Sequence, residues 1–160
     1  MIQSYEILNP NPSKSNAMKA EELNCIPSRV PGISLQRIVD GLVGNSQLTA
    51  SVHSSAIVNE VGLGVILQTA NFRVICLLEE ILQTIINNSE NGDIHIGAER
   101  QGETMVLKIQ ERNNNNGYAL SFSLGGLMRD VTTIGGDLVI IGAQKRVTTI
   151  YFYFPDRKVA

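Results

Sequence analysis

The chain has 160 residues, 43% of them hydrophobic, with 13 Lys and Arg against 15 Asp and Glu, a formal net charge of -2. That length and apolar content suit one globular domain with a core of ordinary size and exclude a disordered chain. The small net charge, with no Lys/Arg run, excludes nucleic-acid binding by bulk electrostatics, and the lack of an apolar run of about 18 residues excludes a membrane-spanning helix.

The opening MIQSYEILNPNPSKSN lacks the basic start and apolar core of a signal peptide, so a cytoplasmic location is expected. Pro10, Pro12, Pro27 and Pro31, set among Ser and Asn, make residues 1–32 an extended arm, and residues 33–160 the folded domain. Ser34 can cap a helix in which Leu35, Ile38, Val39, Leu42 and Val43 follow helical spacing; Gly44-Asn45 is expected to end it. Ala56–Val61 and Gly64–Thr69 are short β-prone runs, with Gly62 marking a tight turn between them. The clearest helix spans 72–88, where Val74, Leu77, Leu78, Ile81, Leu82, Ile85 and Ile86 repeat at three- and four-residue steps before Asn91-Gly92. Ile94, Ile96 and Ala98, then Met105, Leu107 and Ile109, alternate with polar residues around Gln101-Gly102, a hairpin with one buried face. Leu120, Leu124, Leu127, Met128 and Val131 predict another amphipathic helix, and Leu138–Ile141 with Val147–Phe154 a closing hairpin. Strands covered on one side by helices make an α+β, two-layer sandwich with a mixed, mostly antiparallel sheet; the helix-to-hairpin order argues against a parallel doubly wound sheet.

Cys25 and Cys76 are isolated, as are His53 and His95, so no metal site is predicted. Cys76 reads as a small core residue, and neither histidine lies in a long helical pattern. The tract Asn113–Asn116 reads as a polar surface loop.

From Ile33 to Pro155 the order of elements resembles the ATP-binding domain shared by sensor histidine kinases, DNA gyrase, mismatch-repair ATPases, a heat-shock chaperone and anti-sigma-factor serine kinases. The likeness is carried by the hydrophobic frame, by Gly135-Gly136 and by the ending Thr148-Thr149…Phe154-Pro155. It implies the histidine kinase-like ATPase fold. It also implies a helix carrying a general base and a magnesium-holding Asn, and Glu80 and Thr84 fall at those places; a register shifted by one turn puts Asn88 at the metal position. A neutral hydroxyl is a poorer ligand for a hard cation than an amide oxygen. The family's adenine-binding Asp corresponds to Glu111, whose extra methylene moves the carboxylate by about 1.5 Å. The two glycines after that Asp correspond to Asn113 and Asn115. The phosphate-cradling Gly-x-Gly-Leu corresponds to Ser121-Phe122-Ser123-Leu124, at an expected helix start, and the Gly-Thr of the last strand to Val147-Thr148.

The resemblance therefore implies a degenerate nucleotide site: Thr84, Asn88, Glu111, Asn113, Asn115, Ser121, Ser123 and Thr148 as residual positions, with Glu80 as general base should the protein be active. No cofactor is expected. ATP and magnesium enter only in the alternative, a stand-alone protein kinase of the anti-sigma-factor serine kinase type. The expected role is a binding module for a protein partner in bacterial signalling, with a homodimer left open. The arm and the region 113–122 are the candidate contact surfaces.

Overall fold

A computed structural model describes residues 32–69 and 71–158; the arm predicted over 1–32 lies outside these apart from Gly32. Ser34 caps α1 (Leu35–Val52), its side chain accepting from the Arg37 amide at 3.4 Å. The helix runs nine residues past the Val43 end predicted for it. Gly44-Asn45 does not stop it because Ser46 and Ala50 continue the buried stripe of Leu35, Val39 and Leu42 with small side chains. The Gln83 amide donates to Ser46 Oγ at 2.9 Å and ties α1 to the next helix, α2 (Phe72–Asn87).

Asn71 caps α2 (Phe72–Asn87), and all seven stripe residues from Val74 to Ile86 are buried, as their spacing dictates. The two short β-prone runs that follow α1 do not pair with each other. β2 (Ala56–Asn59) lies parallel to β4 (Asp93–Gln101), with Ile57 opposite Ile94. β3 (Ile66–Leu67) instead joins β1 (Ile33–Ser34) in a separate antiparallel pair. The β4–β5 hairpin forms as predicted, β5 spanning Thr104–Glu111.

One helix was predicted over 120–131; two form, α3 (Gly117–Gly125) and α4 (Met128–Thr133), interrupted at Gly126. Leu120, Leu124 and Val131 are buried, whereas Met128 is exposed. β6 (Asp137–Ile141) and β7 (Thr148–Pro155) close the five-stranded sheet, ordered β2-β4-β5-β7-β6 and antiparallel except at β2–β4. Along β7 every second residue, Thr148, Ile150, Phe152 and Phe154, is buried; the three apolar ones and their counterparts on β4 and β5 share one core with α1–α4.

The β1–β3 pair is anchored through Asp156, just beyond β7. This carboxylate is 2% exposed and accepts from the amides of Gln68 (2.9 Å) and Thr69 (3.1 Å), from the Thr69 hydroxyl (3.2 Å) and from the Arg100 guanidinium. Burial alone would raise the Asp156 carboxyl. The Gln68 amide, Arg100 and the Thr69 amide outweigh it and hold the group below the ordinary Asp range. No described helix is long and apolar enough to cross a membrane.

Candidate functional site

The last buried turn of α2, the start of β4 and the end of β5 converge on Glu111. Sequence register puts Glu111 opposite Ile94 on β4 and Thr148 on β7, on the face toward the helices. Its side chain is 0% exposed. Oε1 accepts from the amides of Asp93 (3.1 Å) and Asn113 (2.9 Å), and Oε2 accepts from Ser89 Oγ at 2.6 Å. Three donors are what a buried carboxylate without a cation needs. Gly92 completes the arrangement: a Cβ there would lie 2.5 Å from Glu111 Oε2 and 2.9 Å from Ser55 Oγ, so only a bare backbone fits. Its amide donates to Ser55 Oγ at 3.0 Å.

The Asn tract continues this network. Asn113 donates to the Asn91 carbonyl at 2.8 Å, and its own Oδ1 accepts from Arg146 Nε (2.9 Å) and Nη2 (2.6 Å). Asn114, predicted on a polar surface loop, is 5% exposed: its amide donates to the Arg146 carbonyl at 2.8 Å and its Nδ2 to Thr148 Oγ1 at 3.0 Å. Thr148 is 0% exposed. Asn115 and Asn116 are exposed, and Asn116 Oδ1 caps α3 by accepting from Ala119. Gly117 follows directly, and a Cβ there would sit 2.3 Å from the Ala143 carbonyl oxygen. The short 112–116 connection is therefore fastened to the β6–β7 turn at Asn113 and Asn114, and the first residue of α3 abuts the same turn.

Glu111, Asn113 and Thr148 are thus brought together, whereas Glu80, Ser121 and Ser123 are elsewhere. Ser121 and Ser123 lie inside α3, whose start is Gly117, so their amides serve the helix ladder and not an open helix start. Thr84 Oγ1 donates to the Glu80 carbonyl at 2.7 Å, and Asn88 Nδ2 donates to the Thr84 carbonyl at 2.8 Å. Both side chains are turned back onto their own helix. Glu80 is exposed and looks into a groove of about 540 Å³ between α2 and α4, shared with Phe72, Arg73, Cys76, Asp130 and Ile134. Cys76, predicted in the core, is only half-buried at its edge. Glu80 stands seven positions before Asn87, the last residue of α2, roughly 10 Å along the helix axis, and Ser89 lies two residues beyond that end.

Sequence reasoning missed Ser89, Gly92 and Asn114. The one available signal was the pair Asn91-Gly92 immediately before a strand, which marks a backbone that approaches something closely. His53 ends α1, and His95 stands on β4 between two carboxylates, Nδ1 to Glu60 at 2.7 Å and Nε2 to Asp93 at 2.9 Å. The His95 hydrogen bond holds the exposed Glu60 carboxyl below its ordinary range. Among the described residues no group of three or more His, Cys, Asp and Glu is placed to hold a metal ion.

No family model matches the sequence, and no curated protein does. Solved structures match by shape. The nucleotide-free catalytic domain of histidine kinase ThkA superposes with a TM-score of 0.59 at 13% identity over 79% of this chain and 95% of that one. Histidine kinase AdeS of Acinetobacter baumannii gives 0.62 at 10% identity, over 88% of this chain and 74% of AdeS. ThkA in complex with the response regulator protein TrrA gives 0.57 at 14% identity, over 89% of this chain and 47% of that one. At such identities the likeness establishes the fold, that of a histidine kinase catalytic domain.

Proposed function

We propose that this chain is a degenerate histidine kinase-like ATPase domain that works by binding a protein partner in bacterial signalling and not by turning over ATP. The observation that carries the proposal is the state of Glu111. The position that would receive the adenine amino group holds a carboxylate with no exposed surface, engaged by Ser89 and two backbone amides. In this arrangement the residues fit neither adenine nor magnesium. Thr84 and Asn88 are bonded to their own helix, and Ser121 and Ser123 offer no open helix start. Burying a ligand amino group against Glu111 would first require breaking a satisfied buried network, which costs a few kcal/mol. Support for this partner class comes from the likeness to ThkA, one structure of which is a complex with response regulator protein TrrA. Two-component or partner-switching signalling is the corresponding setting.

The serine-kinase reading keeps one point of support, the exposed Glu80 carboxylate over its groove. Isothermal calorimetry with ATP, with and without magnesium, separates the two. Under the proposal neither titration gives a binding isotherm. Magnesium-dependent binding at micromolar Kd would overturn it, and Glu80→Ala should then abolish turnover.

A further inference from the structure

Beside the 112–116 connection, α3 carries Tyr118 and Phe122, 65% and 88% exposed. Four residues apart, they form one ridge on the helix. Tyr118 also borders a polar pocket of about 510 Å³, lined with it by Asn114, Asn116, Gln144, Lys145 and Arg146, with no acidic side chain among the described lining residues. An aromatic ridge thus runs into a cationic hollow. The backbones beneath the two halves are tied together: Gly117 abuts Ala143, Asn114 bonds the Arg146 backbone, and Arg146 is oriented by Asn113. A fixed backbone lowers the ordering cost of binding, and exposed aromatics beside Arg are the side chains that anchor interfaces.

Resting on the partner-binding reading above, we infer that this surface docks an acidic segment of another protein, its carboxylates facing Lys145 and Arg146 and an apolar anchor side chain lying on Tyr118 and Phe122. Charge complementarity selects this occupant. Two cations neutralise too few phosphates to hold a nucleic acid by counterion release, and the chain's formal net charge of -2 opposes it. A second copy of this chain carries a formal net charge of only -2, and Arg73 stands beside Glu80 and Asp130 in its acidic groove, so it is the weaker electrostatic match.

The test pans a random peptide library, displayed on phage, against the full chain. Enriched peptides should place Asp or Glu beside Leu, Ile, Phe or Trp. Their affinity, read by fluorescence anisotropy, should fall about tenfold in Lys145→Glu and in Phe122→Ala, and further as salt is raised. Both positions are exposed, so melting temperatures should not move. No enrichment, enrichment of basic or uncharged peptides, or unchanged affinity in both variants would overturn the inference. So would displacement by millimolar inorganic phosphate, which marks an anion hollow only, or self-association abolished by Lys145→Glu, which assigns the surface to a second copy. The ATP titration is read separately. Absent enrichment with no ATP isotherm removes the acidic partner alone, whereas ATP binding removes the non-catalytic reading whatever the peptides do.

Discussion

Replacing Glu111 by Ala separates a structural carboxylate from one retained for a ligand. The group is fully buried, and truncation leaves the Asp93 and Asn113 amides without their acceptor. Each buried donor left unpaired costs about 1–3 kcal/mol. The vacated space adds roughly 1 kcal/mol, and relief from a desolvated charge returns part of the total. The expected loss is about 4 kcal/mol, a large share of a domain's stability. Glu111→Gln keeps a carbonyl for both amides and turns an N–H toward Ser89 Oγ, so it should cost only about 1 kcal/mol. Urea unfolding followed by far-UV circular dichroism suits a chain with no Trp. The midpoint should drop steeply for Ala, slightly for Gln, with the slope unchanged. A Glu111→Ala protein within about 0.5 kcal/mol of the parent, or more stable than it, would refute the reasoning. Stability gained by removing a carboxylate is what a site kept strained for a ligand would show.

Leu82, 1% exposed at the centre of the α2 stripe, should lose about 2–5 kcal/mol on truncation to Ala, measured by the same urea titration. Asp156→Asn tests the anchor of the β1–β3 pair. It weakens the Arg100 pair but keeps one acceptor, and should cost about 1–3 kcal/mol at neutral pH. The folded-state pKa of Asp156 is depressed, so its contribution is complete above the unfolded value of about 3.9 and disappears as pH falls through the lower folded value. The gap between parent and variant in urea midpoint should therefore be constant at neutral pH and narrow below about pH 4; a gap that does not narrow there contradicts the assignment.

The α2 stripe and the β4–β5 hairpin were legible because burial on one face writes a period of 3.6 or 2 directly into the residues. The length of α1 was not: Ser46 and Ala50 are buried by close approach to α2, and small residues leave no hydrophobic signature. Nor was the partner of β2, since a four-residue strand pairs with whichever neighbour the tertiary fold supplies. At the site, Glu111, Asn113 and Thr148 were singled out and do lie together. The direction of the Glu111 carboxylate depends on Ser89 and on the bare Gly92, remote in sequence, and nothing local encodes it. Asn114 looked like part of a solvated tract because Asn carries no burial signal; its amide satisfies Thr148 and the Arg146 backbone instead. The start of α3 was misplaced by three residues because its cap, Asn116, is hidden among identical neighbours.

The sheet order has a consequence for how the chain is made. β7 stands between β5 and β6, and Asp156 beyond it reaches back across 88 positions to Gln68. A ribosome releases residues in sequence, so β5 emerges long before the strand that will cover its far edge. Until then Met105, Leu107 and Ile109 lie beside an open row of backbone donors and acceptors, the geometry that recruits another nascent chain. The loop at Gln68 and Thr69 waits equally long for its carboxylate. The sheet is consequently completed only once β7 has emerged, and the interval between β5 and β7 is when a holding chaperone has most to protect.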